Sequence, residues 1–167
     1  MKRSLFTGWL CALLAFVGGC DYFAQRELQP GVSTVEDVRR LMGKPVMIWE
    51  ENDGSQVLEY SRGPEGSETW MVQIGPDGLY RGMTDARAAA QLEQVRAGMS
   101  RDDLRRLLGK PDEEARFAAR NETVWTWRVK TSTGVSTEMF HAHLSPEGRV
   151  LRTSRTPDPR LINAAGQ

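Results

Sequence analysis

Between Val35 and Met42 the apolar residues Val35, Val38, Leu41 and Met42 recur every three or four positions, which puts them on one side of a helix. The same spacing returns at Leu104, Leu107 and Leu108. Thr34 with Asp37, and Ser100 with Asp103, carry the pattern of a capping box, in which a hydroxyl and a carboxylate satisfy the free N–H groups of a helix start. Gly43 and Gly109 stand where a left-handed C-cap is needed, and Pro45 and Pro111 forbid continuation. Each helix is therefore about two turns long. Helices shorter than ~12 residues are marginal alone in water, so both must pack on something else.

Alternating stretches supply the support. Met47 and Trp49, then Leu58 and Tyr60, then Trp70, Val72 and Ile74 take the inward places after the first helix. After the second helix these places fall to Phe117, then Trp125 and Trp127, then Phe140, Ala142 and Leu144. A period of two, with the turn signals "NDG", "GPEG" and "GPDG" between runs, predicts an antiparallel meander with one buried face.

The two halves are copies. "DVRRLMGKP" (37–45) and "DLRRLLGKP" (103–111) differ at two of nine positions, and "VLEY" (57–60) and "WMVQIGPDG" (70–78) match "VWTW" (124–127) and "FHAHLSPEG" (140–148) in the same order. The fold class is thus α+β, with two tandem units, each a short helix or helix pair packed on a three- to four-stranded antiparallel sheet. The units are expected at 28–82 and 83–153. "MTDARAAAQLEQVRAG" (83–98) reads as an extra helix opening the second. The segment 154–167, with two prolines and no periodicity, reads as a disordered tail.

Composition matters mainly at the front of the chain. Lys2 and Arg3 precede the mostly apolar run Leu5 to Val17, then Gly18, Gly19 and Cys20. About 13 residues of helix fall well short of the ~20 that cross a bilayer, so residues 1–19 read as a cleavable export signal. A cysteine after two small residues resembles the bacterial lipobox. This implies that Cys20 becomes the acylated first residue of the mature protein, with 20–27 a short tether. Several acyl chains, at about 0.8 kcal/mol per buried CH₂, anchor far more firmly than one. Cys11 leaves with the signal and Cys20 is acylated, so no thiol is left for a disulfide. Loss of Lys2 and Arg3 leaves two more acidic than basic residues. That balance argues against a nucleic-acid partner, which calls for a basic excess.

With these residues in view, "GMSRDDLRRLLGKP" (98–111) resembles the opening motif of the BamE (SmpA/OmlA) lipoproteins, accessory to the machinery that inserts β-barrel proteins into the outer membrane. Gly98, Ser100, Gly109 and Pro111 stand in the motif's places, as do Gly31, Thr34, Gly43 and Pro45 in a looser first copy, and Cys20 matches the family's lipidated cysteine. The chain departs from the family by carrying two units. In that respect its shape is similar to the duplicated helix and sheet module of β-lactamase inhibitory protein. The resemblance implies lipid anchoring to the outer membrane, facing the periplasm. Asp21, directly after the cysteine, is a residue that retains lipoproteins in the inner membrane of enteric bacteria, and makes that membrane the alternative.

Candidate chemistry is sparse. "GK" at Gly109 and Lys110 lacks the glycine five residues earlier and the following Ser or Thr of a phosphate loop, since Leu104 and Pro111 stand there. His141 and His143, two apart on a predicted strand, point to one side and are weak candidates for a shared metal, with no third ligand evident. Arg39, Arg40, Arg105 and Arg106 lie off the apolar helix stripes and read as a solvated face, with contact to lipid phosphates or acidic partners as the alternative. No nucleophile motif or cofactor signature is present. The expected function is that of a non-enzymatic envelope lipoprotein, a protein-binding or scaffold module whose partners are envelope proteins and the β-barrel assembly machinery. The alternative is an inhibitor or regulator that binds a periplasmic enzyme.

Overall fold

A computed structural model describes residues 27–62, 66–134 and 136–164. The expected export signal, Cys20 and most of the tether lie outside them. The first unit is helix α1 (Val35–Met42) followed by strands β1 (Met47–Glu50), β2 (Gln56–Arg62), β3 (Glu68–Ile74) and β4 (Tyr80–Asp85). The second opens with a single helical turn, α2 (Ala89–Leu92), and continues with α3 (Arg101–Leu108), β5 (Glu113–Phe117), a 3-10 turn, β6 (Glu122–Lys130), β7 (Thr137–Leu144) and β8 (Val150–Pro157). A short helix, α4 (Pro159–Ala164), follows. Each set of strands forms its own four-stranded antiparallel meander, in the orders β1-β2-β3-β4 and β5-β6-β7-β8.

The expected caps are in place. Thr34 and Ser100 each accept from the N–H of Asp37 and Asp103, whose carboxylates accept from the cap N–H groups in return. Gly43 and Gly109 end the helices at φ 76° and 75° with ψ −150° and −170°. This is not the left-handed helical cap expected from the sequence but an extended region with positive φ that is essentially confined to glycine. Duplication extends into backbone detail. Gly31 and Gly98 N–H groups donate to the carbonyls of Tyr80 and Val150, both at 2.8 Å. The last strand pair of each sheet carries a register shift at the same place, Gln73/Ile74 and His143/Leu144.

The core lies between each helix and the front of its own sheet. Val38 and Met42 pack with Leu58, Tyr60, Val72 and Ile74 in the first unit. Leu104 and Leu108 pack with Trp125, Trp127, Phe140, Ala142 and Leu144 in the second. A hydrogen bond from the sheet fixes each helix end: the Tyr60 hydroxyl donates to the Gly43 carbonyl at 3.3 Å, partly buried, and Trp127 Nε1 to the Gly109 carbonyl at 3.1 Å, fully buried.

Four expectations need correction. Met47 and Trp49 are not on the core face. Register places Trp49 opposite Val57 and Met47 opposite Glu59, so they share the face away from Leu58 and Tyr60, and Met47 is 40% exposed. Phe117 pairs with Glu122 and lies on the corresponding far face, 49% exposed. Pairing fixes side-chain direction with a period of two, so one residue of slip between hairpin arms reverses every assignment. The predicted helix over 83–98 is one turn, because residues 83–85 complete β4 against β3 and the unit boundary falls after Asp85. The segment from Ser154 is not irregular: β8 runs to Pro157, paired along β7, and α4 follows. Its lack of apolar alternation reflects an edge strand whose side chains beyond Val150 are exposed.

Candidate functional site

The face of the first sheet turned away from α1 carries Trp49, Val57, Glu59, Thr69 and Met71. A sheet of this kind commonly leaves one face to water, yet Glu59 is only 1% exposed, and Thr69 and Met71 are also buried. What covers them is the end of α3. The Arg105 guanidinium donates to Glu59 at 2.6 Å and the Lys110 backbone N–H donates to the other oxygen of the same carboxylate at 2.9 Å. Arg106 donates to Glu51 at 2.5 Å. Both guanidinium groups lie over the Trp49 ring, at 5.3 Å and 5.0 Å from its centre, within the range of cation–π attraction. Gly109 fits against the sheet so closely that a Cβ there would lie 2.7 Å from Thr69 Cγ2.

The molecule is therefore a stack: α1, first sheet, α3, second sheet. The helix α3 turns its apolar side to its own sheet and its polar end to the preceding one. A buried charge such as Glu59 is tolerated only when paired and hydrogen-bonded, and here a guanidinium and a backbone N–H do both.

A second tie crosses the seam at Arg87, buried directly after β4. Its guanidinium meets Asp112 at 2.9 Å and 3.0 Å and also donates to the carbonyls of Gly66, Lys110 and Arg128. Asp85 accepts from the N–H groups of Thr69 and Arg87, and burial raises its carboxyl above the usual value against those bonds. Between the two ties lies a cavity of about 390 Å³, lined by Val46, Glu59, Thr69, Arg87, Arg105, Pro111 and Asp112 among others. Thr69 Oγ1 and Arg87 Nε are buried there without a protein partner. Groups of this kind are commonly satisfied by enclosed water.

The far side of the second sheet ends the stack. His141 and His143 lie on it, as the alternation predicted. Each ring nitrogen has a partner: His141 meets Thr126 and Thr156, both at 2.9 Å, and His143 meets Glu122 at 3.2 Å and Ser154 at 3.0 Å. Burial lowers the His141 pKa, with the neighbouring His143 adding to the effect. Among the described residues no group of three or more His, Cys, Asp or Glu is placed to hold a metal. At one end of this face Asp158 accepts from Arg128 at 2.8 Å and Thr137 at 2.7 Å. Burial opposes its ionisation, but these donors and the Arg160 N–H outweigh that and hold its pKa at about 2.

Of the motif residues, Gly43 and Gly109 end their helices, and Gly109 also makes contact across the seam. Of the two arginine pairs, Arg105 and Arg106 meet carboxylates while Arg39 and Arg40 are exposed, a difference that their identical local sequences do not show. Glu59 was missed. A lone carboxylate within "VLEY", on an otherwise apolar strand, was the available signal.

No family model matches the chain, and no curated protein does. The resemblance to the BamE lipoproteins stands on the motif residues alone. Solved structures with a similar course are a DUF4309 family protein, YjgB, of Bacillus subtilis (14% identity, TM-score 0.30, 80% of this chain and 84% of that one). Another is a candidate beta-lactamase inhibitor protein of Streptococcus mutans (15% identity, TM-score 0.33, 74% and 82%). A third is an extracellular protein of Bacillus anthracis containing an SCP domain (10% identity, TM-score 0.27), about half of which is matched, 51% of its length against 97% of this chain. Likenesses this distant carry no information on partners or activity.

Proposed function

We propose that this protein is a non-enzymatic component of the bacterial cell envelope, a protein-binding scaffold held to a membrane by lipid on Cys20 and facing the periplasm. What supports the binding role is the seam. One copy of the repeated unit already grips a protein surface, namely the sheet of the other copy, through Arg105, Arg106 and the Lys110 N–H. The anchor rests on the apolar run, Gly18, Gly19 and Cys20. A role in outer-membrane β-barrel protein assembly rests on the motif residues shared with the BamE lipoproteins. The outer membrane is the proposed location, with Asp21 arguing for the inner one.

Crosslinking in cells followed by purification from membranes tests the function. Co-purification of barrel-assembly components is the expected result. Enrichment of one periplasmic enzyme without them overturns the assembly role in favour of an inhibitor or regulator. The anchor has its own test: Cys20→Ala releases the protein from the membrane fraction, and unchanged retention overturns lipidation.

A further inference from the structure

The repeated helix is engaged in one copy and unengaged in the other. Arg39, Arg40, Gly43, Lys44 and Pro45 are the counterparts of Arg105, Arg106, Gly109, Lys110 and Pro111, residue for residue. In the second copy these atoms form a recess for a foreign sheet: a guanidinium and a backbone N–H on one carboxylate, a guanidinium on a second, and two cations over an indole ring. The first copy carries the same residues on the same backbone framework. Its helix has the same capping box, the same terminal glycine conformation and the same hydrogen bond from its own sheet to the glycine carbonyl.

Here, however, Arg39, Arg40, Gly43 and Lys44 are exposed. Nothing lies within 4 Å of a Cβ built at Gly43, whereas one at Gly109 collides with the neighbouring sheet. Arg40 turns back to Asp37 of its own helix at 3.0 Å, in place of the cross-unit bond that Arg106 makes.

We propose that this end of α1 is a docking site for a β-sheet face of a different protein, one that presents an aromatic ring flanked by carboxylates. The inference rests on the protein-binding reading above and names the chemistry of the partner. Charge complementarity selects the occupant: two arginines and a lysine cluster at the site, and the engaged copy shows what such a cluster takes. A second copy of the chain does not fit. Its first sheet is already covered by its own α3, and the far face of its second sheet carries Ala115, Phe117 and Thr126 where the first sheet has Trp49, Glu51 and Glu59. No carboxylate occupies the places of Glu51 and Glu59: Glu113 stands across from Thr126 and Glu122 is held by Arg152 and His143, so the guanidinium groups would lose water without the pairing that Glu51 and Glu59 give α3.

The test uses the mature chain from residue 20, made soluble by Cys20→Ser and labelled for amide NMR. The probe is a disulfide-closed hairpin peptide with the sequence of residues 47–61, checked for folding by its cross-strand contacts, which displays Trp49, Glu51 and Glu59 on one face. Expected are saturable shifts centred on the amides of Gly43 and Lys44. The double variant Arg39→Gln with Arg40→Gln, or a hairpin with both glutamates replaced by glutamine, should weaken binding about tenfold, or ~1.4 kcal/mol. No shifts at Gly43 and Lys44, shifts centred on Gly109 and Lys110, or binding indifferent to these charges overturn the proposal. Concentration-dependent shifts of residues 39–45 without any probe point to self-association and overturn it too. If envelope proteins co-purify in cells but the hairpin does not bind, only this inference falls. If none co-purify, the protein-binding reading falls with it.

Discussion

Gly43 and Gly109 share one backbone conformation and differ in what surrounds them. Replacing either with alanine places a side chain in a region of positive φ that costs about 1–3 kcal/mol. Gly109→Ala additionally drives its Cβ to 2.7 Å from Thr69 and 3.0 Å from the Glu59 carboxylate. Thermal denaturation should therefore show the larger loss for Gly109→Ala, and equal losses would show that the seam yields freely. Asp158 offers a test by pH. Its folded-state pKa of about 2 lies below the ordinary 3.8, so its stabilisation is complete above about pH 4 and is lost as pH falls toward 2. Asp158→Asn replaces the buried carboxylate that Arg128 meets with a neutral amide and should lower stability at neutral pH by about 3 kcal/mol. The variant should also lose less than the native protein between pH 4 and pH 2. Denaturant titrations at pH 7, 4 and 2 measure both differences.

At the scale of elements, α1 and α3 depend on caps that were readable directly, because a capping box is a relation among four adjacent residues. Thr34→Ala and Ser100→Ala should each cost about 1 kcal/mol in urea unfolding. Amide exchange should separate them: Thr34→Ala speeds exchange in α1 and in β2 and β3, on which that helix packs, while Ser100→Ala speeds it in both sheets, because α3 packs on the second and covers the back of the first. Exchange confined to α3 and the second sheet would contradict the stacked arrangement. Strand direction was less legible. The inward places of Leu58, Tyr60, Val72 and Ile74 agree with the structure because these seven-residue strands are long enough to carry apolar residues at successive alternate positions. The four-residue β1 offers too little alternation to choose a face, and the partner across the hairpin turned Trp49 the other way. The seam was hidden for a related reason. "RR" precedes the terminal "GKP" in both copies with the same local propensities, and only the position of another sheet, set by the whole chain, makes one pair a contact and leaves the other in water.

For the whole molecule the seam determines cooperativity. Each unit has a small core of its own, and domains of that size are marginal by themselves. The ties at Glu59 and Arg87 join both cores through α3. One calorimetric transition is expected for the native chain. Glu59→Ala strands the partly buried Arg105 and should cost about 3–5 kcal/mol, broadening or dividing the transition as the units uncouple. A sharp single transition at an unchanged midpoint would mean that the units are coupled elsewhere.

The stacking of helix end on sheet back is a heterologous, head-to-tail relation. Repeated between identical molecules, such relations build rings where the rotation closes and open filaments where it does not. Ala115, Phe117 and Thr126, standing where an indole and two carboxylates would be needed, withhold the next step. Three ordinary side chains on the last face thus deny the α1 of another copy the ring and carboxylates that α3 meets, and leave the end of α1 to a different partner.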